Sequence, residues 1–275
     1  MKIRTLSRRF LRTLVCCGFA ACAAAQGPSP KEYRPEVGQA GKDVVWVPMP
    51  EEQVEKLLDM AKVTPVDFVM DLGSGDGRTV IAAAKRGARA MGVEFDPDLV
   101  AFSRSRAARA GVGDKAAFLE GDLFKTDLSR ATVITLFLLD DINLKLRPAL
   151  LSLKPGTRVL SNTFRMGDWE PDASDWYPPG CYNWCGLYLW IVPARVEGTW
   201  RTTEGELTLE QKYQRVTGAF RGDVPEHAVS GGTLNGDEIR FTSGSAEYRG
   251  RVNGNVIEGT VTANGGNRPW KATRL

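Results

Sequence analysis

The sequence predicts an α/β protein, a doubly wound and mostly parallel sheet, followed by a small all-β barrel or sandwich. Three observations carry this. From residue 44 to residue 192, apolar runs of strand length alternate with helical patterns. A glycine-rich turn, Asp71-Leu72-Gly73-Ser74-Gly75-Asp76-Gly77, joins the first strand to the first helix after it. Beyond residue 192 the runs become short and alternating, with Asn235-Gly236 and Asn253-Gly254 between them as hairpin turns. At 275 residues, 43% hydrophobic and 25% charged, the chain can bury one large core or two modest ones, which excludes a disordered or disulfide-dense miniature protein.

The elements follow in order. Residues 68–70 form a buried strand, and a helix over 78–86 stops at Gly87. Residues 90–93 are a second strand. Asp96 and Pro97 supply the N-cap and first turn of a helix that reaches Ala110 and ends at Gly111. Strands are expected over 117–119, 133–138 and 158–160, with a helix over 143–153 ended by Pro155-Gly156. In the tail, strands are expected over 207–213, 216–220, 238–242, 248–252 and 256–262, and His227, close to Pro225, reads as a loop residue.

Lys2, Arg4, Arg8, Arg9 and Arg12 precede a small-residue apolar stretch over 13–25 that runs into Gln26-Gly27-Pro28. This is the layout of a secretory signal cleaved after Ala25, and the stretch is shorter than the roughly 20 residues of a membrane helix. Arg8-Arg9-Phe10-Leu11 also resembles a twin-arginine export signal. Phe19-Ala20-Ala21-Cys22 resembles a lipoprotein cleavage box, so anchoring through Cys22 stays open. The expected organisation is a signal peptide over 1–25, a linker over 26–43, an α/β domain over 44–192 and an antiparallel β domain over 193–275. The expected product is exported, into a periplasmic space, with no transmembrane span in the mature chain.

The formal charge of +3 belongs to that leader. Without its five cations the chain carries 31 basic against 33 acidic side chains, so no general attraction for nucleic acid is expected. Cys181 and Cys185 are the cysteines outside the leader, and their spacing allows a small disulfide loop in an oxidising compartment. With His227 the single histidine, zinc sites and histidine-based nucleophilic triads lack their ligands and base.

The chemistry concentrates in the glycine-rich turn. A dinucleotide fingerprint would need glycine at position 78, where the chain has Arg78, and no phosphate-binding Gly-Lys-Ser/Thr follows. The turn instead carries two carboxylates, Asp71 and Asp76, which suit a ligand with a cationic end. S-adenosyl-L-methionine is such a ligand, with an ammonium, a sulfonium, an adenosine and no phosphate. Gly73, Gly75 and Gly77 would let it approach the backbone, and the helix N-terminus after Gly77 would receive its carboxylate. Glu94 ends the second strand, where an acid accepts from both ribose hydroxyls. Asp122 follows the third strand, placed for the adenine amino group, with Leu123 beside it among the expected cofactor contacts.

The segment over 44–172 resembles the class I, Rossmann-like S-adenosylmethionine-dependent methyltransferases. Within them it is similar to the lysine methyltransferase group related to the mitochondrial ATP synthase c-subunit enzyme. The residues that carry the resemblance are Val47-Pro48-Met49-Pro50, Asp71 to Arg78, Gly92-Val93-Glu94, Thr135-Leu136-Phe137-Leu138-Leu139 and Asn143-Leu144-Lys145-Leu146-Arg147-Pro148. The resemblance implies methyl transfer to an unknown acceptor, a protein lysine or a small-molecule amine. Leu139-Asp140-Asp141-Ile142 stands where amide and adenine methyltransferases carry Asn/Asp-Pro-Pro-aromatic, which disfavours nucleic-acid bases. Asp140 and Asp141 are the candidate catalytic residues, weighed against a plain helix-capping role. Trp169, Trp176, Tyr177, Tyr182 and Trp184 would either wall an acceptor cation or pack the two domains together, the second being the commoner use of such a cluster. A different class of function stays open beside the enzyme: an exported, non-catalytic binder of a nucleoside-like ligand with a β-rich partner-binding domain.

Overall fold

The computed structural model describes residues 33–222 and 227–275, so the expected signal peptide and residues 26–32 of the expected linker lie outside the described residues. After helix α1 (Glu51–Met60), β1 (Phe68–Leu72), α2 (Arg78–Lys85), β2 (Arg89–Glu94), α3 (Pro97–Arg109) and β3 (Ala116–Glu120) alternate. They are followed by β4 (Val133–Leu136), α4 (Asp140–Leu150), β5 (Arg158–Asn162), β6 (Ala173–Trp176) and β7 (Gly186–Ile191). The sheet order is β3-β2-β1-β4-β5-β7-β6. The five strands from β1 to β5 run parallel, and β7 and β6 add antiparallel to the edge.

The central strands are apolar because both faces of the sheet are covered. Along β1 the side chains alternate: Val69 packs in a core with Val54, Leu57, Val80 and Phe118, whereas Met70 and Leu72 pack with Ile134, Leu146 and Trp190 on the other face. α3 is capped as its sequence predicts, with Asp96 Oδ1 accepting from Asp98 N at 2.8 Å and Pro97 in the first turn. α4 starts three residues earlier than expected. Its N-cap is Leu139, which makes no side-chain cap bond, and Asp140 and Asp141 occupy its first turn.

Strands β8 (Gly198–Thr202), β9 (Gly205–Lys212), β10 (Arg215–Arg221), β11 (His227–Asn235), β12 (Glu238–Ser243), β13 (Ala246–Asn253), β14 (Val256–Ala263) and β15 (Gly266–Arg274) close into an antiparallel barrel. Its interior is filled by side chains: Phe241 stacks on Tyr248 with ring centroids 4.8 Å apart, and Trp270 meets both edge-on. His227 opens β11 instead of lying in a loop. β8, β11 and β15 were not expected from the sequence, nor were β6 and β7.

Tyr33–Leu275 packs as one compact unit. The barrel docks on the segment after β5. Tyr213, at the β9–β10 turn, stacks on buried Trp169 at 5.9 Å and donates from its hydroxyl to Asp168 at 2.8 Å. Gln214 Nε2 donates to the Glu170 carbonyl at 2.7 Å, and Arg147 pairs with Asp168 at 2.7 Å. The aromatic cluster expected from the sequence therefore divides: Trp169 belongs to this interface, whereas Trp176, Tyr182 and Trp184 are 58%, 92% and 46% exposed. Among the described residues no helix is long and apolar enough to cross a membrane.

Candidate active site

The parallel strands deliver their carboxyl ends to one edge of the sheet, where open α/β folds bind ligands. β1 ends there in Asp71-Leu72, and the chain turns through Gly73 (φ +75°) and Gly75 (φ +51°) into α2. Gly73 N and Ser74 N both donate to the Val93 carbonyl, at 2.8 and 3.0 Å, which ties the turn to β2. A Cβ on Gly73 would meet Leu138 at 3.0 Å and one on Gly75 would meet the Trp46 indole nitrogen at 2.4 Å, so both positions require bare backbone. Gly77 differs. It faces inward, where a Cβ would lie 2.6 Å from Phe118 and 2.9 Å from Ser103. It lets α2 pack against α3 and β3, and it does not line the cavity as the sequence reading expected.

The acids of the turn have different roles. Asp76 is already neutralised: Arg78 binds it through Nε at 2.9 Å and through a terminal nitrogen at 2.7 Å, and Arg106 forms a second ion pair with it. It lines the cavity, but of the two carboxylates of the turn it is the one whose charge is already balanced by arginines. Asp71 is buried, and its register opposite Thr135 of β4 brings the Thr135 hydroxyl within 2.6 Å. Its partners are hydroxyls, those of Thr135 and Thr79. Burial, with some repulsion from Glu94 and Asp76, pushes its carboxyl up to about 7. A buried carboxyl with this environment is poised to receive a cation.

Glu94 is held by three backbone N–H groups: Gly75 at 2.8 Å on one oxygen, Phe95 at 2.8 Å and Asp96 at 3.0 Å on the other. The oxygen facing Gly75 keeps acceptor capacity for a hydroxyl. Asp122 accepts from Phe124 N at 2.9 Å and pairs with Lys42 Nζ at 2.9 Å, and Lys42 holds the carboxyl below its usual range. Asp71, Gly73, Gly75, Glu94, Asp122 and Leu123 line one cavity of about 110 Å³, with Phe95, Leu99, Phe137, Leu138 and Ile142 as its apolar walls. Asp140 and Asp141 do not line it. Asp140 accepts from Arg165 N at 2.6 Å, and Asp141 pairs with Lys145 at 3.8 Å.

The cavity has a roof that the sequence reading did not assign to the site, the arm over 41–49. Gly38 N donates to the Trp46 carbonyl and Trp46 N to the Gln39 carbonyl, both at 2.9 Å. Arg78 grips the Met49 carbonyl at 2.7 Å, and Lys42 Nζ lies 4.8 Å from the centre of the Phe95 ring while it binds Asp122. Lys42 and Trp46 give no sequence signal, because they reach the cup only through tertiary contact. Thr135 does give one, as a hydroxyl in the otherwise apolar run Val133-Ile134-Thr135-Leu136.

Comparison with known proteins decides the family. Residues 71–173 match the ANTKMT methyltransferase domain family. A protein-lysine N-methyltransferase from Saccharolobus islandicus (strain REY15A) is 43% identical over 152 residues, 54% of this chain and 94% of that protein. The chain belongs to the class I S-adenosylmethionine-dependent methyltransferases of the ATP synthase c-subunit lysine methyltransferase type. The mouse ATP synthase c-subunit lysine N-methyltransferase is 41% identical over 128 residues, but the chain spans only 51% of its length. The solved structure of an RNA methyltransferase from Salinibacter ruber in complex with S-adenosyl-L-homocysteine is 47% identical and covers 55% of this chain and 96% of that one, with a TM-score of 0.51. The match to the domain family ends before the barrel begins.

S-adenosylmethionine is thus the cofactor of this methyltransferase, and the residues present fit it. The bare backbone at Gly73 and Gly75 gives the close approach a ligand across the turn requires. The donor set offers a carboxyl poised for a cation, a fixed acceptor for hydroxyls and apolar walls for a base.

Proposed function

We propose that the chain is an exported protein-lysine N-methyltransferase. One observation carries the catalytic part: buried Asp71, bonded to hydroxyls and not to a cation, shares a cavity with Glu94 and Asp122 at the end of the parallel strands. In this reading Asp71 receives the ammonium of the cofactor, the first turn of α2 its carboxylate, Glu94 its ribose, and Asp122 with Leu123 its adenine. The bound cofactor supplies a methyl group on a sulfonium. The acceptor nitrogen, neutral after losing its proton to solvent, forms a bond to the methyl carbon as the carbon–sulfur bond breaks. The electron pair stays on sulfur, leaving S-adenosylhomocysteine and a methylated ammonium. The chain's task is alignment and exclusion of water, and burial of the acceptor amine lowers its pKa so that no dedicated base is needed.

Lysine as the acceptor is supported by the names of the relatives in Saccharolobus and mouse. Export is supported by the layout of residues 1–25 and by the disulfide between Cys181 and Cys185, which suits an oxidising compartment. The test is incubation of the purified protein with methyl-labelled cofactor and, separately, cell-envelope protein, poly-L-lysine and total RNA. Label recovered as methyl-lysine supports the proposal, and label in RNA would replace it with the acceptor class of the Salinibacter protein. Cofactor held unchanged by a folded protein would instead favour the non-catalytic binder. Cell fractionation with an antibody to the barrel tests export.

A further inference from the structure

The wall of the cup formed by Phe137 continues sideways. Phe137 follows β4, and its ring lies 6.0 Å from that of Phe164, after β5, and 6.2 Å from that of Trp184, before β7. β4, β5 and β7 are neighbours in the sheet, and β7 begins at the edge where β4 and β5 end. The three rings therefore flank the cofactor cavity at the carboxyl edge, on the side away from β2, Glu94 and Asp122.

Trp184 is held there by several devices at once. Its backbone is left-handed at φ +56°, a conformation that a bulky residue keeps only when its surroundings impose it. The Asn162 side-chain amide, itself buried, donates to the Trp184 carbonyl at 2.9 Å and to the buried Gln53 at 3.0 Å. Gln53 in turn donates to the Tyr177 carbonyl at 3.0 Å, so one amide pair holds both ends of the loop. The Cys181–Cys185 disulfide closes the loop from within. All this order serves a side chain that remains 46% exposed. A tryptophan fixed but left open beside a ligand cavity is poised to receive something.

We propose that Phe137, Phe164 and the disulfide-closed Trp184 loop form the entry for the acceptor lysine and set the enzyme's preference for an alkyl-ammonium side chain. This rests on the proposed lysine methyltransferase function. Aromatic faces pack the methylene stem and attract the cationic head of lysine and of its methylated products. Charge agrees: Asp140 and Asp141, exposed three and four residues beyond Phe137, place negative charge beside the entry, partly offset by Lys145. Trp184 is a specificity residue, and Gln53 and Asn162 are positioning residues acting through it.

The test uses the full mature protein with poly-L-lysine and methyl-labelled cofactor, and follows KM, kcat and S-adenosylhomocysteine affinity. Trp184→Ala should raise KM for poly-L-lysine at least tenfold while S-adenosylhomocysteine affinity stays within twofold of wild type. Trp184→Phe should recover most of the loss. Cys181→Ser with Cys185→Ser should raise KM in the same direction, as should mild reduction of the wild-type protein. An unchanged KM in Trp184→Ala overturns the proposal alone, as does a parallel loss of cofactor affinity. A wild-type protein that methylates no lysine on any substrate overturns the functional reading, and this one with it.

Discussion

Asp71 concentrates the residue-scale chemistry. Its carboxyl stands near 7 because burial opposes its charge. A ligand ammonium would favour the charged form, so cofactor affinity should be full above pH 7 and fall by up to about tenfold per unit below it. Titration calorimetry in buffers of different ionisation enthalpy would detect the accompanying proton release, and a flat profile between pH 5.5 and 8 would count against this role, in the roughly one-unit steps that linkage sets. Because the folded protein binds that proton more tightly than the unfolded chain, cofactor-free stability should decline as pH rises from about 4 toward 7. Asp71→Asn keeps the shape and removes the charge. It should weaken S-adenosylhomocysteine binding by about 1.5–3 kcal/mol, the usual worth of a charged hydrogen bond, with little loss of melting temperature. The acids at strand ends were legible in the sequence because a parallel sheet brings such ends together. Which side of a glycine turn faces the ligand is not legible, since Gly77 follows the same spacing as Gly73 and Gly75 yet faces Phe118.

At the scale of elements, the arm over 41–49 is the part expected to move when the cofactor enters. The cavity beneath it, about 110 Å³, is smaller than the roughly 300 Å³ at which ligand clefts commonly begin. The arm is fastened at one end by the part-buried bond from Arg78 to the Met49 carbonyl and at the other by the exposed ion pair of Lys42 with Asp122, the weaker of the two ties because solvent screens it. Lys42→Ala should therefore modestly speed cofactor association in stopped-flow fluorescence. Identical association rates would show that the arm opens without breaking this pair. The barrel strands show the same limit on what a sequence reveals. β11 contains Gly231-Gly232 at a bulge, which breaks the alternation by which strands are recognised. β15 contains Pro269, tolerated because β15 pairs with β8 only over Ala272–Arg274 and needs no N–H on that side at 269. Strands with clean alternation, such as β12, were legible.

For the whole molecule, the sheet and the barrel meet through a few specific groups. Asp168 accepts from Tyr213 and pairs with Arg147 and Lys212, and the Tyr213 hydroxyl and these cations hold its carboxyl well below the usual range. Tyr213→Phe removes the bond to Asp168 but keeps the stack on Trp169. It should lower the melting temperature only slightly, because the bond lost is exposed to solvent, with S-adenosylhomocysteine affinity unchanged. A change in that affinity would mean the barrel reaches the cofactor cup energetically. The antiparallel strand β7, between β5 and β6, is what makes the domains adjoin, since it returns the chain to Val192 beside Gly156, whose N–H binds the Val192 carbonyl at 2.9 Å.

The acid trio at 71, 94 and 122 also bears on turnover. In the proposed reading each acid would hold a portion of the donor that survives the reaction, since ammonium, ribose and adenine are the same before and after the methyl leaves. Spent nucleoside should then compete with fresh donor on nearly equal terms, with dissociation constants within about tenfold, or about 1.4 kcal/mol, of each other. In a compartment with little fresh donor, the pace of methylation would follow how quickly the by-product is cleared.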